Sequence, residues 1–490
     1  MLKSLVKRLM GRSKSSKPIP HGTNAGSKLE VHIEDTRIQP SNDKLEIISL
    51  PNEILYLIFL YARNLSLIPT PRSLTAQAAH PIELAISHVC RLWRTMSLNY
   101  PPLWDTFRYV VPIWPQVKSK DRFAAYIERS GSLLLDIWIN FRGHNGTRLN
   151  DPAEMFTMLL SQVDRWRRVT ILLNGNPSFV HRLKGLHPVN LEHFAVLPQN
   201  AAYNSLDSRG LFKPNTFTSG ARKLKSVRLI TTTYDLFLPP LAHLTTFRLE
   251  KQYNARHIQI NLPTVLALLA IPTLENLSVI GIKIFDDDNL KYITLERLQD
   301  FRCGGEDLAQ ILPYIQAPRL HSLTLRGGHF PILNPKFVPE LTNLILLNCR
   351  VPWPELFSIS SGITQLTVSE NSEGTFHLHA PTIFELTTCW PQLTTLSCNL
   401  QFLSYIDLYR GLALSRVDQL FTVRVHQNLL DTWNDRTPDL LPYANGVPLI
   451  KSWDDDTNPL IAWHWPYAED RAEYPFDKTD YDPFMVNSFH

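Results

Sequence analysis
The chain is poor in the residues that most catalysis and cross-linking require. Glycine supplies only 19 of 490 residues, too few for a phosphate cradle. There is no G-x-x-x-x-G-K-[ST] loop, no G-x-S-x-G elbow and no H-E-x-x-H helix. The five cysteines, Cys90, Cys303, Cys349, Cys389 and Cys398, form no C-x-x-C pair and are odd in number. They argue against a disulfide framework or a thiolate zinc site and fit small buried hydrophobes in a reducing compartment. No run approaches the roughly 18 apolar residues of a membrane span. Excess charge is also scarce. A formal net charge of +4 is too weak to predict a nucleic-acid partner. His377 and His379 share one face of an expected strand, but no Cys or carboxylate stands at ligand spacing with them, so they read as surface histidines. No enzyme activity, metal or cofactor is expected.

What the chain does have begins with a basic head. Lys3, Lys7, Arg8, Arg12, Lys14 and Lys17 all precede the first acid, Glu30. Residues 1–44 are expected to be a disordered basic segment. Leu2, Leu5, Val6 and Leu9 form only a brief amphipathic stripe, without the long apolar core of a secretory signal. Nuclear or membrane addressing is the alternative for this head.

Next comes Leu50-Pro51-Asn52-Glu53-Ile54-Leu55 and, after an insertion, His88-Val89-Cys90-Arg91-Leu92-Trp93-Arg94. Pro51 suits a first helical turn, where its missing N–H costs nothing. Ile54, Leu55, Ile58 and Phe59 fall on one side of a 3.6-period helix. Ala85, Val89, Trp93 and Met96 share a second stripe, with Ile86 and Cys90 beside it. Two short helices cannot bury this much apolar surface against each other, so a partner is implied. Pro69 and Pro71 with several Ser and Thr mark the insertion between Arg63 and Pro81 as an exposed loop.

This pattern, together with Tyr100-Pro101-Pro102-Leu103-Trp104-Asp105, resembles the F-box, especially the F-box-like form common in large fungal families. The resemblance covers roughly residues 46–107 and sets an expected helical domain at 45–107. It implies docking on a Skp-type adaptor of a cullin–RING (SCF) ubiquitin ligase, through Leu50, Pro51, Ile54, Leu55, Ile58 and Phe59 with Val89, Cys90 and Trp93. Some of these must instead fill the module's own core, and the sequence does not divide them.

From 108 to 430 the chain repeats Leu-x-x-Leu-x-Leu or a close variant. Copies start at Trp166, Leu191, Leu224, Leu244, Leu274, Leu298, Leu320, Leu341, Ile363 and Leu393, mostly at intervals inside or near the leucine-rich-repeat period. Positions 4 and 6 of each copy alternate as in a strand with one buried face, and Leu133 to Ile139 supply a first strand. Thr264 to Leu269 suggests a short helix between strands. Stacked units share a core that none has alone. The expected fold class is therefore α/β: a short helical N-terminal module followed by an irregular leucine-rich-repeat solenoid with a parallel concave sheet. The asparagine that regularises such repeats appears at Asn371 and becomes Cys349 in the preceding unit. Thr232, Gln252, Ile282, Glu306 and Gly328 replace it elsewhere.

Residues between the leucines should face the concave side. Arg228, Arg248 and Arg302 occupy position 5 of their strands, interrupted by Ser278, with Arg326 at a neighbouring position 7. Such a column suits an acidic or phosphorylated peptide, since guanidinium forks take carboxylate or phosphate. The opposing view makes them solvated arginines, with Arg248 neutralised by Glu250 and Arg302 by Asp300. The last segment, 431–490, mixes Trp433, Trp453, Trp463 and Trp465 with many acids and is expected to be an acidic aromatic cap or tail. The F-box resemblance implies a substrate receptor of the cytoplasm or nucleus, with a leucine-rich binding scaffold lacking any ligase role as the alternative. A membrane-attached adaptor is a weaker third reading.

Overall fold
The computed structural model describes residues 50–67, 81–110, 119–141, 150–174, 178–199, 215–230 and 237–250, and between 258 and 453 the strands with the residues that lead into them. The basic head, the insertion after Leu67, His377, His379, Cys389, the last 37 residues (454–490) and most of the asparagine-ladder positions lie outside the described residues. The chain divides into two compact units, with the change between Leu103 and Trp104, slightly before the boundary expected at 107.

The first unit is helical. Helix α1 runs Asn52–Leu67, with Pro51 supplying carbonyl acceptors for the Ile54 and Leu55 N–H groups. Helices α2 (Ile82–Ser87) and α3 (Arg91–Leu98) follow. The stripe expected through Ala85, Val89, Trp93 and Met96 does not exist as one face, because the helix breaks at His88–Cys90. Cys90 takes an extended conformation and caps α3, its sulfur accepting from the Trp93 N–H at 3.4 Å. Arg94 closes the other side of the break by donating to the Ser87 carbonyl at 2.9 Å. Consequently Ala85 and Val89 are exposed while Trp93 and Met96 are buried. Phe59 meets Trp93 edge to face at 5.0 Å, and Tyr56 stacks on Tyr100 at 4.2 Å. The Arg63 guanidinium donates to the Pro102 carbonyl, tying α1 to the short turn Pro101–Leu103.

The second unit is built on a 14-stranded sheet whose strand order follows the chain order. Its strands are β1 (Thr106–Val110), β2 (Leu135–Asn140), β3 (Trp166–Asn174), β4 (His193–Gln199), β5 (Ser226–Ile230), β6 (Thr246–Glu250) and β7 (Asn276–Ile280). They continue as β8 (Asp300–Gly304), β9 (Ser322–Arg326), β10 (Asn343–Leu347), β11 (Gln365–Ser369), β12 (Thr395–Asn399), β13 (Thr422–His426) and β14 (Ile450–Trp453). Every pairing within it is parallel. Parallel neighbours need a return segment between them. At the start of the sheet these returns include helices α4 (Ser119–Arg129) and α5 (Asn150–Leu160).

The register explains why the spacing could be read from sequence. Position 4 runs Val227, Phe247, Leu277, Phe301, Leu323, Leu344, Leu366, Leu396 and Val423 across nine paired strands. All are buried, as are the position 1 residues Leu224, Leu244, Leu274, Leu298, Leu320, Leu341, Ile363 and Leu393. Each fully buried leucine contributes about 1.5–3 kcal/mol, and the columns repeat that gain at every strand. Position 2 keeps strands from slipping. The Thr245, Thr342, Thr364 and Thr394 hydroxyls each donate to the position 2 carbonyl of the preceding strand, at 3.1–3.3 Å.

Three strands of this sheet lie outside the expected series. β1 carries aromatic residues in place of the leucine pattern, with Phe107 packed on Phe123 at 4.5 Å and Tyr126 at 5.0 Å. β13 has Val423 and Val425 at positions 4 and 6. β14 lies within the segment expected to be an acidic aromatic cap or tail, and its pairing with β13 carries the sheet to Trp453. Phe217 adopts a left-handed backbone with φ of 50°, held by its contacts with Phe194 at 4.8 Å and Trp166 at 6.3 Å. The short helix expected at 264–269 is represented by helical turns at Val265, Leu266 and Leu269.

Candidate functional site
Two surfaces, one within each unit, concentrate the residues expected to bind partners. On α1 the apolar residues form two arcs. Leu55, Phe59 and Ala62, at i, i+4 and i+7, are buried. Ile54, Leu57 and Tyr61, at i, i+3 and i+7, are exposed, Leu57 at 62%. At 100° per residue the second arc lies roughly a third of a turn from the first. Val89 and Leu92 add two more exposed apolar side chains at the break before α3 and in its first turn.

The nine residues expected to meet an adaptor therefore separate. Leu55, Phe59 and Trp93 are buried in the structure and are not available on its surface. Ile54, Val89 and Pro51 are exposed, while Leu50, Ile58 and Cys90 are half-buried. Cys90 serves as the α3 cap. Leu57, Tyr61 and Leu92 were missed, although the i, i+3, i+7 spacing of the α1 pair with Ile54 was present in the sequence.

On the sheet, positions 3, 5 and 7 point to the face opposite the leucine columns. Arg228 and Arg248 are register partners, and Ser278 separates Arg248 from Arg302 as expected. None of the three is open to solvent: Arg228 is 8% exposed, Arg248 3% and Arg302 4%. This corrects their placement on an open recognition surface. For Arg228 and Arg248 the physical reason is Glu250, at position 7 of β6. It accepts from Arg248 Nε at 2.7 Å, lies 2.7 Å from Arg248 Nη2, stands 3.6 Å from Arg228 Nε and accepts from the Ser278 hydroxyl at 2.6 Å. An apolar group on the same face, Trp138, Leu172, Leu197 and Ile230, is buried as well. The neutralisation of Arg248 by Glu250 is observed, but the pair is buried, not solvated. Arg326 occupies β9 in register with Gly304 and Leu347; its side chain lies outside the described residues.

A second carboxylate organises the start of the sheet. Asp136 takes a two-pronged hydrogen bond from Arg167, with both contacts at 2.7 Å, and Arg168 stands 3.6 Å away. The hydrogen bond to Asp136 holds the Arg167 guanidinium above its ordinary value, against the opposing effect of burial. This fork ties β3 to β2 in the way bidentate arginine–carboxylate pairs do.

No protein-family model matches the chain, and no curated protein matches it significantly. Among the described residues no cluster of three or more His, Cys, Asp or Glu side chains could hold a metal ion. No helix among them is long and apolar enough to cross a membrane. Among the described residues, the outer arc of α1 together with Val89 and Leu92 holds five of the eight large apolar side chains exposed to solvent.

Proposed function
We propose that this chain is a substrate receptor: an F-box-like helical unit that docks on a Skp-type adaptor of a cullin–RING ubiquitin ligase, followed by a leucine-rich-repeat solenoid that grips a target protein. The observation that carries the reading is the exposed apolar arc of Ile54, Leu57 and Tyr61, with Val89 and Leu92. The unit's own core is already occupied by Leu55, Phe59 and Trp93, so folding does not require these side chains. Exposed apolar residues that share one face of a helix, as Ile54, Leu57 and Tyr61 do, suit a docking surface, and the motif resemblance names the adaptor. The long parallel sheet with chain-ordered strands supports the solenoid part. Catalysis would belong to other subunits, and the contribution of this chain is proximity. A cytoplasmic or nuclear setting goes with that role.

Co-purification of the full chain with a Skp-type adaptor tests the reading, beside a variant carrying Ile54→Asp and Leu57→Asp. Adaptor recovered with the native chain and lost from the still-folded variant is the expected outcome. A folded native chain that recovers no adaptor overturns the ligase role and leaves a leucine-rich binding scaffold.

A further inference from the structure
The turns that lead into β4 and β5 carry a concentration of positive charge. Arg182 and Lys184 precede β4, Arg222, Lys223 and Lys225 precede β5, and all five are exposed. Hydrogen bonds clip the two turns together. The Phe217 N–H donates to the Leu183 carbonyl at 3.1 Å, and the Thr218 N–H and hydroxyl both donate to the Lys184 carbonyl at 2.8 Å. Lys223 Nζ donates to the Asn190 side chain, and Arg182 to the Thr157 hydroxyl, at 2.8 Å each. Both partners are neutral. Within residues 178–199 and 215–230 the only acid is Glu192, whose charge acts on Arg167. Among the described residues none of the five cations is ion-paired. Elsewhere in the same unit cations do meet carboxylates, as at Lys120–Glu154, Arg167–Asp136 and Arg248–Glu250.

The matching charge is in the same chain. Residues 454–490 hold nine acids against two basic residues, Arg471 and Lys478. We propose that the acidic stretch 469–482 docks on this basic rim and covers the strand entries of β4 and β5 from within the molecule. Trp453 ends β14, nine strands from β5 in the sheet order, or about 43 Å at about 4.8 Å per strand. A chain spans at most about 3.3–3.6 Å per residue. Asp454, Asp455 and Asp456 therefore stop short, whereas Asp477, Asp480 and Asp482 have length to spare. Single surface ion pairs are weak, but the tether holds the acids at an effective concentration on the order of mM. A rim whose turns are already clipped together loses little further freedom on binding. That favours it over the basic head as the counter-charge of the acidic stretch. The docking stands whether or not the helical unit binds an adaptor.

Carbodiimide coupling of the full chain, which joins lysine amines to carboxylates in contact, tests this when the products are mapped by peptide mass spectrometry. At low salt Lys184, Lys223 and Lys225 should couple to Asp477, Asp480 or Asp482. Salt at about 0.5 M, where the screening length falls to about 4 Å, should suppress the coupling. A mixture of isotope-labelled and unlabelled chains separates coupling within one chain from coupling between two copies. A variant carrying Arg222→Glu and Lys223→Glu should keep its melting temperature, because both side chains are exposed. It should lose the coupling at Lys184 and Lys225, and trypsin should cleave it after Arg471 and Lys478 several-fold faster than the native chain. Four results would each overturn the proposal: acids of 469–482 coupled only to Lys3 and Lys7 of the head, coupling only between copies, no coupling of the rim lysines, or an unchanged cleavage rate in the variant.

Discussion

Arg248 and Glu250, two residues apart on the same strand and face, are joined through two 2.7 Å contacts while both side chains are almost wholly buried. Glu250 is also shared with Arg228 and Ser278. One carboxylate therefore stands between two guanidinium groups on neighbouring strands. Two cations side by side would repel; the acid between them makes the arrangement tolerable. The pairing holds Arg228 and Arg248 below the open surface of the sheet.

Removing the acid should be far worse than removing the whole group. Glu250→Ala leaves two buried cations without their carboxylate, and breaking a buried pair in this manner costs about 3–5 kcal/mol. The triple change Arg228→Met, Arg248→Met and Glu250→Leu keeps the volume apolar and should cost less than the single change. Urea unfolding of the three proteins decides the matter. A triple variant less stable than Glu250→Ala would mean that the arginines are held mainly by something other than Glu250.

The two arcs of α1 make opposite predictions for the same substitution. Leu55→Ala removes a fully buried side chain and should destabilise the helical unit by about 2–5 kcal/mol. Leu57→Ala, on the exposed arc, should change stability by no more than about 0.5 kcal/mol. Chemical denaturation followed by a probe within the helical unit separates them. Similar losses at both positions would mean that the outer arc belongs to a core.

The sheet was legible because its signal is strictly periodic. Leu323, Leu344 and Leu366 occupy one buried column, and the two-residue alternation of a strand writes that column directly into the sequence. β13 carries the same pattern, with Leu420, Val423 and Val425 at positions 1, 4 and 6, so its signal is present in the sequence although the expected series stops at Leu393. The helical face was only half legible. Leu55 and Leu57 are chemically identical, and which one is buried depends on where Trp93 and its neighbours sit. The arginine column was legible in register but not in exposure: nothing local says that Glu250 will reach Arg228 on the next strand. The break at Cys90 was hidden because the apolar stripe continues through it in sequence, while the sulfur leaves the stripe to cap the next helix.

That cap gives a third prediction. Sulfur is a weak acceptor, and serine is among the preferred residues at a helix N-cap. Cys90→Ser should therefore raise the stability of the helical unit, by up to about 1 kcal/mol, whereas Cys90→Ala should lower it slightly. Thermal melts of the two variants report the sign. If Cys90 acted chiefly as a small apolar contact, Ala would instead be the better-tolerated change.

Cys303 supplies the pH dependence. Burial pushes its thiol well above the usual cysteine value of 9.0, and the nearby Cys349 adds to the shift. The neutral form is thus favoured in the folded chain. In the unfolded chain the same thiol ionises near its usual value, so above that pH the unfolded state binds fewer protons than the native one. Stability from this group is complete below about 9 and declines as pH rises from there towards the folded value. Urea unfolding between neutral and alkaline pH should show a downward slope that is reduced in Cys303→Ala, even though that variant is less stable at neutral pH because it loses buried volume. The native thiol should also resist alkylation near neutrality, since the thiolate is the nucleophile. Rapid modification of Cys303 in the folded chain, or an alkaline slope unchanged in the variant, would contradict its assignment as a neutral core residue of β8.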